Sequence, residues 1–225
     1  MSNSVPVSPP TLTLKSGFWA SVIVAILGVI YLLLLGISSL TSGLPPSEPY
    51  LTALNILVLL CGPAMVFWSV CIYEICPVGQ RVFGMSSVIL MGLFAAMTSI
   101  NRFVAMTVVR QSPSSENLAL IMPYGWPSMM LALEILGWGF FMGLAIIAAA
   151  FVFRGNRLQS AIFWTMLVSG ILCMSAAVTM IAGNMNLMLL GAIGWGPGLT
   201  LAAILTAIWF LHSVNGIPPK RIVDG

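Results

Sequence analysis

Apolar residues in this chain do not alternate with polar ones. They run in six long stretches, Gly17 to Leu40, Leu51 to Ile75, Val82 to Val109, Ser128 to Phe153, Ala161 to Ala182 and Leu187 to Leu211. A helix of about 20 residues crosses a hydrocarbon core about 30 Å thick, so each stretch is long enough to span a bilayer. Transmembrane strands would instead show segments of about 10 residues with apolar and polar positions alternating. Ile30 to Gly36 and Gly143 to Val152 are apolar on every face, which suits a helix whose backbone groups are all satisfied internally. The pattern therefore predicts an all-α integral membrane protein, a bundle of six transmembrane helices, and excludes a β-barrel.

Composition agrees with that reading. Hydrophobic residues make up 60% of the 225 positions and charged residues 6%, with a mean hydropathy of +1.08, far from the balance of a soluble domain. The Lys and Arg residues then fix a direction, because they concentrate in cytoplasmic loops. Lys15 precedes the first span, Arg81 separates the second and third, Arg154 and Arg157 the fourth and fifth, and Lys220 and Arg221 follow the last. All six fall on one side, and only Arg110 lies at the other edge. Both termini are expected in the cytoplasm, and the location is a multi-pass membrane protein of the cytoplasmic (plasma) membrane if the source is prokaryotic. The net charge of +3 reflects this loop bias; with no basic run along the chain, no nucleic-acid partner is expected.

The domain organisation follows. Residues 1–14, rich in Ser, Pro and Thr, read as a flexible cytoplasmic lead, residues 15–212 as the membrane domain, and residues 213–225 as a cytoplasmic tail. The segment from Gly17 is too long for a signal-peptide core and is expected to remain as a mature helix. In the third connection, Leu118 to Trp126 mixes apolar residues with Tyr124 and Trp126 and suits a segment lying in the headgroup region. Leu136-Gly137-Trp138-Gly139 returns as Ile193-Gly194-Trp195-Gly196 one helical hairpin later, a hint that the bundle is built from repeated hairpins. Gly139 with Gly143, and Gly194 with Gly198, form GxxxG steps that predict close helix packing. Pro63 and Pro197 each remove a backbone donor within an apolar run. Thr165, Ser169 and Cys173 form a narrow stripe that reads as a packing seam.

Three ionisable side chains fall within the spans: Glu74, Arg102 and Glu134. A charge at a helix centre costs about 2.5 to 3.5 kcal/mol on insertion scales, so each needs a reason. Glu74 sits at the cytoplasmic end of its helix, within reach of headgroups, and is a secondary candidate. Arg102 and Glu134 lie at matching depths, about 12 Å inside the ends marked by Arg110 and Trp126, on consecutive antiparallel helices. An ion pair between them is the natural arrangement. Asn101 and Thr98 lie within a turn of Arg102, and Trp138 one turn beyond Glu134, so these five residues are candidates for one polar ligand or ion site. The pair equally suits a purely structural role, locking two helices together.

The remaining chemistry narrows the function classes. Cys61, Cys71, Cys76 and Cys173 have no metal-ligand spacing and His212 is the single histidine, so neither metal nor cofactor is expected. No nucleotide-binding loop, zinc-protease motif or serine with a histidine base is present. The preferred reading is transport of a small molecule or ion, or ligand binding within the membrane, at a polar pocket in the outer half of the bilayer. The alternative is a structural or accessory subunit of a membrane complex. A lipid-modifying enzyme using Glu134 as acid or base ranks third, for want of a second catalytic group, so enzymatic activity is disfavoured. The expected partners are membrane lipids, with a homo-oligomer or larger membrane complex as a means of enlarging a small pathway.

Overall fold

A computed structural model of the chain describes residues 11–41, 43, 46–111, 128–183 and 188–216. Among them are six helices long and apolar enough to cross a membrane: α1 (Thr11–Thr41), α2 (Tyr50–Glu74), α3 (Val78–Val109), α4 (Met129–Ala150), α5 (Arg157–Ile181) and α6 (Met188–Val214). No strand occurs among the described residues. The chain is a polytopic membrane protein.

Each helix packs against the next in sequence, and α6 returns to pack against α1, closing a ring. Cross-helix contacts show that neighbours are antiparallel. Gly17 and Gly28 of α1 lie against Phe210 and Thr200 of α6, and Gly62 and Tyr73 of α2 lie against Ala95 and Gly84 of α3. One end of the bundle therefore holds the start of α1 and the end of α6. The opposite end, called distal below, holds the end of α1 and the starts of α2, α4 and α6.

Small residues set the closest approaches, as they do where lipid offers no hydrophobic drive between helices. Both GxxxG steps pack on α5. A methyl added at Gly143 would lie 3.0 Å from the Gly170 carbonyl, and one at Gly194 would lie 2.6 Å from the Ser169 carbonyl and 2.7 Å from the Cys173 backbone nitrogen. Ser169 and Cys173 are thus a seam facing α6, as the stripe predicts, whereas Thr165 is half-buried.

Helix ends differ from the sequence expectation where packing or capping intervenes. The first helix starts at Thr11 and so absorbs part of the expected flexible lead, because Leu14 is buried in the core. The last extends to Val214, past the expected end of the membrane domain, with Phe210 fully buried. The fifth begins at Arg157, four residues before Ala161, under a capping box in which Asn156 Oδ1 accepts from the Gln159 amide at 3.0 Å and Gln159 Oε1 accepts from the Asn156 amide at 3.2 Å. The α-helix of the fourth stops at Ala150, and the chain continues to Phe153 through three tight-turn hydrogen bonds that seat Phe153 in the core. The second runs unbroken through Pro63. The segment Leu118 to Trp126 lies outside the described residues.

The proximal half is filled by large side chains. Trp68, Met65 and Ile72 of α2, Ile146 of α4, Ile162 and Met166 of α5 and Phe210 of α6 are all essentially solvent-free. Trp68 Nε1 donates to Thr206 Oγ1 at 3.3 Å across the bundle. At the turn from α4 to α5, the Arg154 guanidinium lies 5.0 Å from the Phe151 ring and 5.7 Å from the Phe163 ring, a cation held at the edge of the apolar belt.

Candidate functional site

The distal half is built differently. Its polar core starts with Ser128, whose hydroxyl caps α4 by accepting from the Leu131 amide at 3.4 Å. That start places Met130 and Glu134 one turn apart, facing α3. Asn101 Nδ2 donates both to the Met130 carbonyl at 3.0 Å and to Glu134 Oε2 at 2.7 Å. Arg102 Nη2 donates to Glu134 Oε1 as an ion pair, and its Nη1 donates to Asn55 Oδ1 of α2 at 3.1 Å. One carboxylate and one guanidinium thus bind three helices together.

Burial distinguishes the partners. The Arg102 side chain is 5% exposed and that of Glu134 11%, so the carboxylate is the more open of the two. Both line a cavity of about 230 Å³ that reaches from Met188, at the distal start of α6, down to Leu199. Five helices contribute to the wall. Apart from the ion pair it is chiefly apolar, with Tyr31 of α1, Trp138 of α4 and Trp195 of α6 as its aromatic members.

Three of the helices change their winding beside this cavity. A π turn occupies Ala105–Val109, just after Arg102, another Leu136–Phe141, just after Glu134, and a third Gly194–Gly198. A π turn inserts an extra residue into the helix and redirects the side chains around it, and such turns are frequent at functional sites. The repeated Gly-Trp-Gly phrases form the second and third of these turns. They bring Trp138 and Trp195 together, with ring centroids 6.4 Å apart and planes inclined at 55°. Pro197 falls inside the third turn, and one residue before it the Gly196 carbonyl accepts from the Thr200 hydroxyl at 2.9 Å.

Of the residues singled out from sequence, Arg102, Glu134 and Trp138 face the cavity together. Asn101 stands behind Glu134 and holds it. Thr98 is buried one turn away, opposite Gly137, and packs outside the cavity wall. Glu74 is exposed at the proximal end of α2 and belongs to no part of this site. Asn55, Tyr31 and Trp195 complete the arrangement and were not anticipated. A signal existed for Asn55, since it and Asn101 are the two carboxamides within the apolar spans.

Among the described residues no three His, Cys, Asp or Glu side chains converge as metal ligands. All four cysteines are free and buried. Cys76, between α2 and α3, has its thiol pKa pushed up, chiefly by burial, with the Gly84 amide and the Arg81 charge opposing that shift. These features make it an unreactive thiol. No family model matches this chain, and neither a curated protein nor a solved structure was found to be similar to it.

Proposed function

We propose that this membrane protein binds a small amphipathic molecule in the distal cavity and carries it across or within the bilayer. One observation carries the reading: the Arg102–Glu134 pair forms part of a cavity wall, whereas a pair serving only to join helices would be sealed between them. A concave, mainly apolar site with a few convergent polar groups is the common form of a small-molecule pocket. Two of the π turns and the intramembrane charges Arg102 and Glu134 contribute to the wall of that same space, and the remaining π turn, Ala105–Val109, begins three residues after Arg102. With the termini cytoplasmic, as the loop charges direct, the cavity opens in the outer half of the membrane.

Ala192 lines the cavity opposite the ion pair's helices and gives a direct test. Native mass spectrometry of the purified wild type is expected to show a retained small molecule, and Ala192→Phe, which fills the space, is expected to lose it while staying folded. Equal adducts on both proteins, or none on either, would contradict the reading. Topology is tested separately with an impermeant thiol reagent, since the native cysteines of the described structure are buried. Cysteines introduced at Ser2 or Asp224 should stay unlabelled in intact cells, and labelling would reverse the orientation.

A second reading is favoured by the satisfaction of the pair itself. Arg102 and Glu134 are already joined to Asn55, Asn101 and each other, which suits a scaffold or accessory subunit whose polar core fixes helix partners. Exchange of the two charges, Arg102→Glu with Glu134→Arg, separates the two readings.

A further inference from the structure

We propose that the cavity takes a small organic cation of the quaternary ammonium class, its charge held by Trp138, Trp195 and Tyr31 beside the Glu134 carboxylate. The inference deepens the reading of the cavity as a binding site and rests on it.

The polarity of the wall points one way. Arg102 is the one cation among the lining residues, and its two terminal nitrogens are engaged, one by Glu134 and the other by Asn55. Glu134 already neutralises its charge, so an anionic ligand would place a second negative charge beside a cation that is paired. Glu134 is less covered, and a carboxylate offers about four lone-pair directions, of which Arg102 and Asn101 take two. Acceptor capacity therefore remains at Glu134.

The aromatic members add to it, because the face of an indole or phenol ring carries negative charge density that attracts a cation within about 6 Å of its centroid. Both indoles line the cavity, with centroids 6.4 Å apart and planes inclined at 55°, a spacing at which one cation can lie within about 6 Å of both. The pair is held in place. The Phe94 ring meets Trp138 edge-on at 4.7 Å and 76°, and Trp195 folds over Gly191 one turn earlier, where there is no room for a Cβ. Rigid rings reduce the ordering cost of binding.

Hydration decides among cations. A calcium or magnesium ion needs six or more oxygen ligands, which a single occupied carboxylate does not supply. A quaternary ammonium has no hydrogen-bond donors, sheds water readily, and leaves its apolar substituents to lie against Val24, Leu27 and Leu57. The rings and the carboxylate suit its diffuse charge, and the aliphatic wall suits its body.

The test is equilibrium dialysis of the purified full-length protein in detergent, corrected against protein-free micelles. The probes are benzyltrimethylammonium, its neutral carbon isostere neopentylbenzene, and the anion 3-phenylpropionate. The ammonium should bind at least about tenfold more tightly than the isostere. Trp138→Leu and Trp195→Leu should each weaken it about tenfold, the order of magnitude of one desolvated cation–ring contact, and leave the isostere little changed. If a leucine variant fails to fold, Trp138→Phe and Trp195→Phe keep ring and bulk and should weaken binding by a smaller factor in the same direction. Equal binding of ammonium and isostere, both lost in Ala192→Phe, overturns the cation selectivity and leaves the cavity as a binding site. Tighter binding of the anion overturns it as well. Failure to bind the ammonium, in a protein that still retains its native adduct, removes the cation proposal alone; failure to bind with no adduct removes both readings.

Discussion

The two halves of this bundle are made by the same six helices and packed by opposite rules. In the proximal half the helices keep an α winding apart from the 3-10 turn Val78–Gln80 that opens α3, and Trp68, Phe153 and Phe210 fill the centre. In the distal half three helices take a π turn, a polar cluster joins α2, α3 and α4, and a cavity of about 230 Å³ stays open beside it. A bundle in lipid gains its stability chiefly from dispersion contacts and pairing of polar groups, so an unfilled centre forfeits contacts. The proximal half shows that this sequence can close such a ring. The openness of the distal half is therefore a property of the residues placed there.

The largest effect expected on either half comes from breaking the ion pair. Arg102→Leu leaves Glu134 without its cation and should lower stability by about 3 to 5 kcal/mol, measured by denaturation in detergent. The double replacement Arg102→Leu with Glu134→Leu should recover most of that loss, since an apolar pair carries no unpaired charge. A double variant as unstable as the single one would show that the cluster contributes through packing.

Filling the space tests the contrast itself. Ala192→Phe, on the cavity wall, should leave stability unchanged or raise it, because new contacts form in a void. Ala203→Phe, one of the solvent-free positions of the same helix, should cost about 1 to 3 kcal/mol or more by overpacking. If both substitutions cost the same, the two halves are equally well packed and the comparison fails.

The difference between the halves also explains what was legible in the sequence. Six spans, their approximate limits and the pairing of Arg102 with Glu134 follow from run length and from matched depths along antiparallel helices, quantities that depend only on helix rise. The Gly139–Gly143 and Gly194–Gly198 steps likewise announce close packing. The π turns were not legible, since a one-residue insertion into the winding leaves no periodic mark in segments apolar on every face. Without them the meeting of Trp138 with Trp195 could not be placed, although the repeated Gly-Trp-Gly phrase was visible. Asn55 was overlooked because a single carboxamide near a helix start resembles an interfacial residue until α3 is packed beside it. The start of α5 at Arg157 was there to be read in Asn156 and Gln159, a capping pair at the right spacing.

A smaller effect should mark the proximal half. Trp68→Phe removes the indole donor to Thr206 and keeps an aromatic filler, and should cost about 1 kcal/mol with no change in ligand retention. A Trp68→Phe variant that loses the retained molecule would extend the site into the half described here as packing.

The central claim is that the Arg102–Glu134 pair serves the cavity as well as the fold, and exchange of the two charges tests it most directly. The flanking carboxamides can adapt: Asn55 and Asn101 each accept or donate by a turn of the amide, so Arg102→Glu with Glu134→Arg keeps a satisfied cluster. The measurement is thermal stability in detergent together with small-molecule retention by native mass spectrometry on the same sample. The account predicts a protein close to wild type in stability that no longer retains its ligand, because the open carboxylate and the donor-rich guanidinium have changed places. An exchanged protein that is stable and still retains the same molecule would contradict it and leave the pair as a helix lock.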